Sequence, residues 1–394
     1  MRDFPSRLSS DLMQITSRLL QIAVLAFLTL PSLAPAAALP VPAAPVIGAK
    51  SYLLIDGNSG YELAALEPDV RLAPASLTKL MSAYAIFKAL VEGQVTLEDE
   101  VTVSEKAWRT PGSRMFIEVG KRVLVKDLLL GMIVQSGNDA SVALAEHVAG
   151  TESVFAEVMN RYALELGMRD SHFMNATGLP HEEHYSTARD MATVARAMIN
   201  EFPEYYGWYS LREFKFNDIT QTNRTAILWR DSSVDGMKTG HTVDAGYCLV
   251  SAAERDGMRI ISVVLGTASP KARNDGSQAL LNYGFRFFET RLLYKAGETV
   301  TEAKTWKSAR QKTPLGLPED LYITVPRGSY DEVQSVLNMP SVLLAPVAQG
   351  QPLAELEVSL NGSSLITAPL RALQENPAGS IWQRGRDSLM LLLE

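Results

Sequence analysis

Ala73-Pro74-Ala75-Ser76-Leu77-Thr78-Lys79-Leu80-Met81 opens a long helix-forming stretch that runs from Ser76 to Leu90. Its Ser-x-x-Lys spacing puts a hydroxyl and an amine three residues apart, so both project from one helical face. A serine hydroxyl is a poor nucleophile at neutral pH. A partly desolvated lysine with a lowered pKa can remove its proton, as histidine does elsewhere. The start of the helix adds free backbone N–H groups and the positive end of the dipole, both favourable to developing negative charge. Such a spacing is common by chance, and taken alone it also describes a capped helix with a solvated lysine. What changes its weight is the company that follows in order, Ser136-Gly137-Asn138 and then Lys238-Thr239-Gly240.

Around this stretch the chain divides readily. Two apolar runs, Ser51 to Ile55 and Tyr61 to Leu66, flank Asp56-Gly57-Asn58-Ser59-Gly60, whose residues tolerate the positive φ a hairpin turn needs. A second such pair, Gly246 to Ala253 and Met258 to Leu265, surrounds Glu254-Arg255-Asp256-Gly257. Between the pairs the periodicity is helical over Ser76–Leu90, Val125–Val134, Asp139–Ala149, Ser153–Leu166 and Thr187–Asn200. Strands at both ends of a helical insert predict an α+β fold, one antiparallel sheet with helices packed on it. Arg273 to Leu293 reads as a closing helix. Short alternating segments at Leu321–Val325, Val342–Leu344 and Leu353–Leu360 then predict a small β-rich domain. The last residues, from Ser380, place Ile381, Trp382, Leu389, Leu392 and Leu393 on one helical face with Gln383, Arg384 and Asp387 opposite, the pattern of an interfacial amphipathic helix or of a terminal helix docked on the domain. The expected borders are a signal peptide at 1–38, a Pro/Ala-rich linker at 39–48, a catalytic domain at 49–293, the β-rich domain at 294–374 and the amphipathic helix at 375–394.

The signal peptide rests on Arg2, Arg7 and Arg18, an uncharged apolar run from Leu19 to Leu33, and small residues for cleavage after Ala36 or Ala38. The predicted product is therefore exported. Net charge is −7, which argues against a general nucleic-acid binder. With Cys248 the only cysteine, no intramolecular disulfide can form. His181-Glu182-Glu183-His184 lacks the His-Glu-x-x-His spacing of zinc hydrolases, and neither a metal nor any other cofactor is expected.

The ordered trio is that of the penicillin-binding proteins and serine β-lactamases. Its flanks, Gln135-Ser136-Gly137-Asn138-Asp139-Ala140, Asp235-Gly236-Met237-Lys238-Thr239-Gly240-His241-Thr242 and Tyr283-Gly284-Phe285-Arg286-Phe287-Phe288-Glu289-Thr290, resemble one branch, the low-molecular-mass D-alanyl-D-alanine carboxypeptidases of the penicillin-binding protein 5 and 6 type. The resemblance runs from about Ala49 to the C-terminus, densest at the motifs and thin beyond about Arg291. It implies a β-lactamase/transpeptidase-like catalytic domain in which Ser76 attacks the bond between the two terminal D-alanines of a peptidoglycan stem, forming an acyl-enzyme that water hydrolyses and that penicillins trap. By the same resemblance Lys79 is the base, held neutral by neighbouring cations with Lys238 foremost. The backbone N–H groups of Ser76 and His241 form the oxyanion hole. Ser136 relays a proton to the leaving group, and Asn138 binds the Lys79 region and the substrate amide. The free carboxylate of the substrate needs cations and hydroxyls, for which Lys238, Thr239, Thr242 and Arg273 are candidates beside Gly240 and His241, with Arg224 assisting. The implied partners are stem peptides, β-lactams and, through the C-terminal helix, the periplasmic surface of the inner membrane. Three rival readings are a class A-like β-lactamase, whose Glu-x-x-Leu-Asn loop is absent, although Glu182 and Glu183 lie in the corresponding stretch; a murein endopeptidase; and a non-enzymatic wall scaffold, against which intact Ser76, Lys79 and Lys238 argue.

Overall fold

The structure is a computed structural model that describes residues 41–393. The segment expected to be a signal peptide, and the first residues of the linker, lie outside the described residues.

Strand β1 (Ser51–Asp56) and β2 (Glu62–Leu66) form the first hairpin. Its turn is tied by Asp56, whose Oδ1 accepts the backbone N–H of Asn58 at 3.0 Å and of Ser59 at 2.6 Å, so the acidic first residue makes the chain reverse. A 3₁₀ turn at Ala75–Leu77 leads directly into helix α1 (Thr78–Val91), so Ser76 lies in the entry turn rather than in the helix proper. After a small ribbon of β3 (Glu100–Thr102) and β4 (Arg122–Leu124) comes α2 (Val125–Leu130), which widens into a π-helical turn over Gly131–Gln135 and stops at Ser136. Helices α3 (Asn138–Ala149), α4 (Glu152–Glu165) and α5 (Ala188–Glu201) follow, the last two capped by the hydroxyls of Thr151 and Thr187. A second ribbon, β5 (Glu213–Phe216) and β6 (Ile219–Thr222), precedes β7 (Val234–Thr242), β8 (Gly246–Arg255) and β9 (Met258–Thr267).

The main sheet has the order β2-β1-β9-β8-β7, antiparallel at each pairing, which makes β7 an edge strand. Alternation along β9 separates two cores. Ile261, Val263 and Leu265 join Leu53, Ile55 and the α1 residues Leu80, Met81 and Phe87, whereas Ile260 and Val264 join Leu54, Leu249 and the residues Leu280, Leu281 and Phe285. Each such fully buried aliphatic side chain contributes roughly 1.5–3 kcal/mol. The sheet is thus covered on both faces, which explains its apolar runs.

The predicted α+β architecture is present, with one correction. The closing helix expected over Arg273–Leu293 is α6 (Pro270–Phe287), begun by the cap of Ser269, and Phe288–Tyr294 is a strand, β10. The helical spacing of Phe285 and Phe288 continues past the true end. Phe288 to Tyr294 instead gains backbone partners from β13 (Leu321–Pro326), whose ladder outweighs local periodicity. The border expected at 293/294 falls inside this strand. Between them lie β11 (Thr299–Trp306) and β12 (Lys312–Gly316); β14 (Val333–Asn338), β15 (Leu343–Leu344), β16 (Pro352–Leu360) and β17 (Ser363–Ala372) complete a six-stranded sheet in the order β14-β16-β17-β12-β11-β15. Its own core includes Leu315, Val325, Val358 and Leu370.

Helix α7 (Ile381–Leu391) starts with a capping box of Ser380 and Gln383. Asp387, expected on a free polar face, is buried and accepts the backbone N–H of Lys307 at 2.7 Å. Ile381, Trp382, Leu389 and Leu392 face outward, at 64–89 % exposure. The helix is docked by its polar side and presents its apolar side to solvent. No helix among the described residues is long and apolar enough to cross a membrane.

The two domains share a partly buried polar knot. Asp56 Oδ2 accepts Thr290 Oγ1 at 2.6 Å, and Thr324 Oγ1 lies 2.8 Å from Thr290 Oγ1 and 2.6 Å from Ser59 Oγ. Asp56→Ala leaves two turn N–H groups and the Thr290 hydroxyl without their acceptor. The expected cost is about 1–3 kcal/mol, read as a fall in Tm by calorimetry.

Candidate active site

Three separated segments converge on the amine of Lys79. Its side chain is 1 % exposed, and Nζ lies 2.7 Å from Asn138 Oδ1, 2.7 Å from the Thr177 carbonyl oxygen and 3.3 Å from Ser76 Oγ. An ammonium could donate to all three. A neutral amine donates to the two closer oxygens and keeps its lone pair for the serine proton. The Lys79 pKa is lowered to about 7: burial is the largest cause, Asp139 opposes it, Arg224 adds to it and Glu152 opposes it in turn. Burial is the largest cause and the charge of Arg224 adds to it, while Lys238, expected as the foremost neighbouring cation, is coupled to Lys79 as well. Lys238 is itself held well below its usual value by burial first and then by the charges of Lys79, Arg224 and Arg273, and because repulsion is mutual the two lysines disfavour each other's protonation.

Ser76 enters through a strained backbone. Ala75 has φ of +48° and Ser136 has φ of +64°, left-handed conformations that cost an ordinary residue on the order of 1–2 kcal/mol. Two glycines make the close approaches around this turn possible. Gly178 has φ of +82°, and a Cβ there would stand 1.8 Å from the Ala75 carbonyl oxygen. A Cβ on Gly240 would stand 2.9 Å from the Pro74 carbonyl oxygen and 3.3 Å from Ala75 Cβ. Gly240 thereby brings the free edge of β7 against the Ser76 turn, which is a packing reason for glycine at the end of Lys-Thr-Gly.

The structure brings most of the expected residues into this cleft. Asn138 is fixed at both ends of its amide, the oxygen toward Lys79 and Nδ2 donating to the Pro111 carbonyl at 2.6 Å. Ser136, two residues before it, is buried. Lys238 and Thr239 are buried on β7, with Lys238 Nζ 3.1 Å from the Thr239 carbonyl oxygen, and Thr242 uses Oγ1 to accept the N–H of Ala245 in the turn that follows. His241 is exposed and stacked on Tyr247, ring centroids 4.0 Å apart. Arg224 donates from Nε to the Gln135 carbonyl at 3.0 Å, and its charge reaches both lysines. Arg273 lies beneath β7, with its nearest acceptor the Gly240 carbonyl oxygen at 3.5 Å; its buried Nε has no partner.

The His181–His184 segment does structural work. His184 Nδ1 accepts the N–H of Met174 at 3.3 Å, which assigns the proton to Nε2, 2.8 Å from Thr78 Oγ1. Burial pushes its pKa down to about 4, so it stays neutral while tying the 174–184 loop to α1. Glu182 lines a cavity of about 300 Å³ beside Ala75, together with Gly178, Leu179 and Asp244.

Sequence reasoning missed the Thr177 carbonyl, Asp139 and Gly178. A backbone acceptor carries no sequence signal. Asp139 offered one, an acidic residue in the first turn of a helix.

Known proteins resemble this chain in both of its domains. Residues 39–269 match the family described as D-alanyl-D-alanine carboxypeptidase, and residues 288–378 match the family described as penicillin-binding protein 5, C-terminal domain. The chain is 41 % identical over 361 residues to D-alanyl-D-alanine carboxypeptidase DacA of Escherichia coli strain K12, covering 89 % of each chain. It is similar to the crystal structure of penicillin binding protein 5 from Haemophilus influenzae, with a TM-score of 0.82 and 41 % identity over 85 % of this chain and 99 % of that one. Penicillin-Binding Protein D2 of Listeria monocytogenes in its ampicillin-bound form aligns at a TM-score of 0.56 and 27 % identity, covering 61 % of this chain and 98 % of that one.

Gly178→Ala is expected to displace the Ser76 turn. Penicillin acylation should fall by about 10²-fold or more while circular dichroism stays native.

Proposed function

The chain belongs to the D-alanyl-D-alanine carboxypeptidase family, and on that premise we propose which of its residues carry the reaction and where it takes place. The protein is a serine-type D-alanyl-D-alanine carboxypeptidase that acts on peptidoglycan peptides and binds β-lactams. In the proposed mechanism neutral Lys79 takes the proton of Ser76 as Oγ attacks the carbonyl carbon of the penultimate D-alanine. The carbonyl π electrons move to oxygen, where the N–H groups of Ser76 and His241 receive the charge. Collapse of the tetrahedral intermediate breaks the peptide bond. The departing nitrogen takes a proton by way of Ser136, and free D-alanine leaves. Water, giving its proton to the again neutral Lys79, then attacks the ester carbonyl; the acyl carbon–Oγ bond breaks, Lys79 returns the proton to Ser76 Oγ, and the shortened stem leaves as a carboxylic acid. Asn138 holds the Lys79 amine and the substrate amide, while Lys238, Thr239, Thr242, Arg224 and Arg273 form the positive wall for the terminal carboxylate, with Gly240 giving β7 its closeness to the serine.

The observation that carries this reading is the contact of a buried, depressed-pKa amine with the hydroxyl of Ser76. A β-lactam fits the same scheme, since ring opening leaves an ester on Ser76 whose leaving group stays attached.

We also propose export of the mature chain and peripheral attachment at the inner-membrane surface through α7. What supports the attachment is the outward row of Ile381, Trp382, Leu389 and Leu392, apolar area that a soluble terminus has no reason to expose.

Three measurements test these proposals. Mass mapping after incubation with a penicillin should find one ester on the peptide bearing Ser76, absent in Ser76→Ala and formed about 10²–10⁴-fold more slowly in Lys79→Ala. Because the neutral amine is the active form, acylation should gain about tenfold per pH unit below 7 and level off above it. An ester on another serine would defeat the assignment. For α7, the mature protein should sediment with vesicles of phosphatidylethanolamine and phosphatidylglycerol, and Trp382→Ser with Leu389→Ser should release it. Equal sedimentation of both proteins would remove the helix from the role.

A further inference from the structure

Asp139 stands in the first turn of α3, next to Asn138, and is 1 % exposed. Its Oδ1 accepts the N–H of Met115 at 3.0 Å and of Ala140 at 2.9 Å; its Oδ2 accepts the N–H of Phe116 at 3.0 Å and of Ile117 at 3.4 Å. One of these four donors belongs to its own helix. The other three come from a stretch without regular secondary structure, in which Phe116 has φ of +70°. The same stretch supplies the Pro111 carbonyl that takes Asn138 Nδ2 and the Ser113 carbonyl that takes the Asn138 N–H at 2.7 Å. Gln221 Nε2 holds it from the far side through the Met115 carbonyl at 3.1 Å.

A carboxylate that gathers three consecutive backbone N–H groups does for this segment what a strand ladder would otherwise do. It fixes Pro111 relative to α3, and Pro111 in turn fixes the amide of Asn138 against the Lys79 amine. The charge of Asp139 has no ion-pair partner among the described residues. Its effect falls on Lys79, where Asp139 and Glu152 act against Arg224 and burial; Lys238 and His184, on β7 and the 174–184 loop, feel Lys79 in turn.

We propose that Asp139 is a positioning residue for this reaction, tying the 111–117 segment to the helix that carries Asn138 and supplying the negative charge opposed to the Lys79 amine. The inference rests on Lys79 acting as the base. A base too strongly depressed accepts a proton poorly, and one not depressed is already protonated. Asp139 holds Lys79 between these limits while its hydrogen bonds hold Asn138 in place.

The test is the pH dependence of penicillin acylation in the mature protein, followed by intact mass. Asp139→Asn keeps the shape, removes the charge and turns an NH2 toward backbone donors. The rate should fall about tenfold or more, and the acid limb should move down by about half a pH unit or more. Gln221→Leu loosens the same segment without touching the charge, and Asp139→Glu keeps the charge while displacing the segment. Both should slow acylation and leave the limb where it is in the unaltered protein, so the proposal stays testable even if Asp139→Asn fails to fold. An Asp139→Asn limb that does not move overturns the electrostatic half, as does a shifted limb in Asp139→Glu. Full activity in Gln221→Leu overturns the positioning half. If the unaltered protein shows no limb near pH 7, the reading of Lys79 as base falls, and this inference with it.

Discussion

The burial of one amine organises this molecule. An uncompensated ammonium in a low-dielectric site costs several kcal/mol, so Lys79 is tolerated only where oxygens meet it or where it sheds its proton. Both happen here. The oxygens come from the entry turn of α1, the start of α3 and the loop that ends at Gly178, three segments far apart in the chain. Moving any one of them would leave the amine short of an acceptor. The strained φ values at Ala75 and Ser136 are consistent with this demand, since the surrounding core holds each residue where the amine requires it.

Much of this was legible because local chemistry and global fold agree. Asp56-Gly57-Asn58-Ser59-Gly60 makes its turn through the Asp56 side chain, and the apolar runs of β8 and β9 are strands because helices cover both their faces. The ordered Ser76, Ser136 and Lys238 motifs marked the cleft. Legibility ended where contacts are made by backbone or depend on distant partners. Nothing near Phe288 announces that its ladder lies across the domain border on Leu321–Pro326, so helical spacing carried the reading six residues too far. Nor does a sequence show that Thr177 offers a carbonyl, or that one arginine reaches two buried lysines. The charge of Arg224, a residue outside the three motifs, lowers both Lys79 and Lys238.

The catalytic cleft and the tail domain are joined by polar rather than apolar packing at Asp56, Ser59, Thr290 and Thr324. Hydrogen bonds are directional where hydrophobic contact is not, so a knot of this kind specifies an orientation as well as an attachment. The hairpin turn that begins the main sheet is thereby also the seat on which β10 and β13 rest.

Helix α7 extends the same logic to the far end of the chain. Asp387 grips the backbone at Lys307, so the apolar flank of the helix cannot swivel freely; its direction is set by the β-rich domain beneath it. If that flank rests on a lipid surface, the domain becomes a stilt, and the height at which the serine meets its polymer is built into folded protein instead of being left to the wandering of a tether.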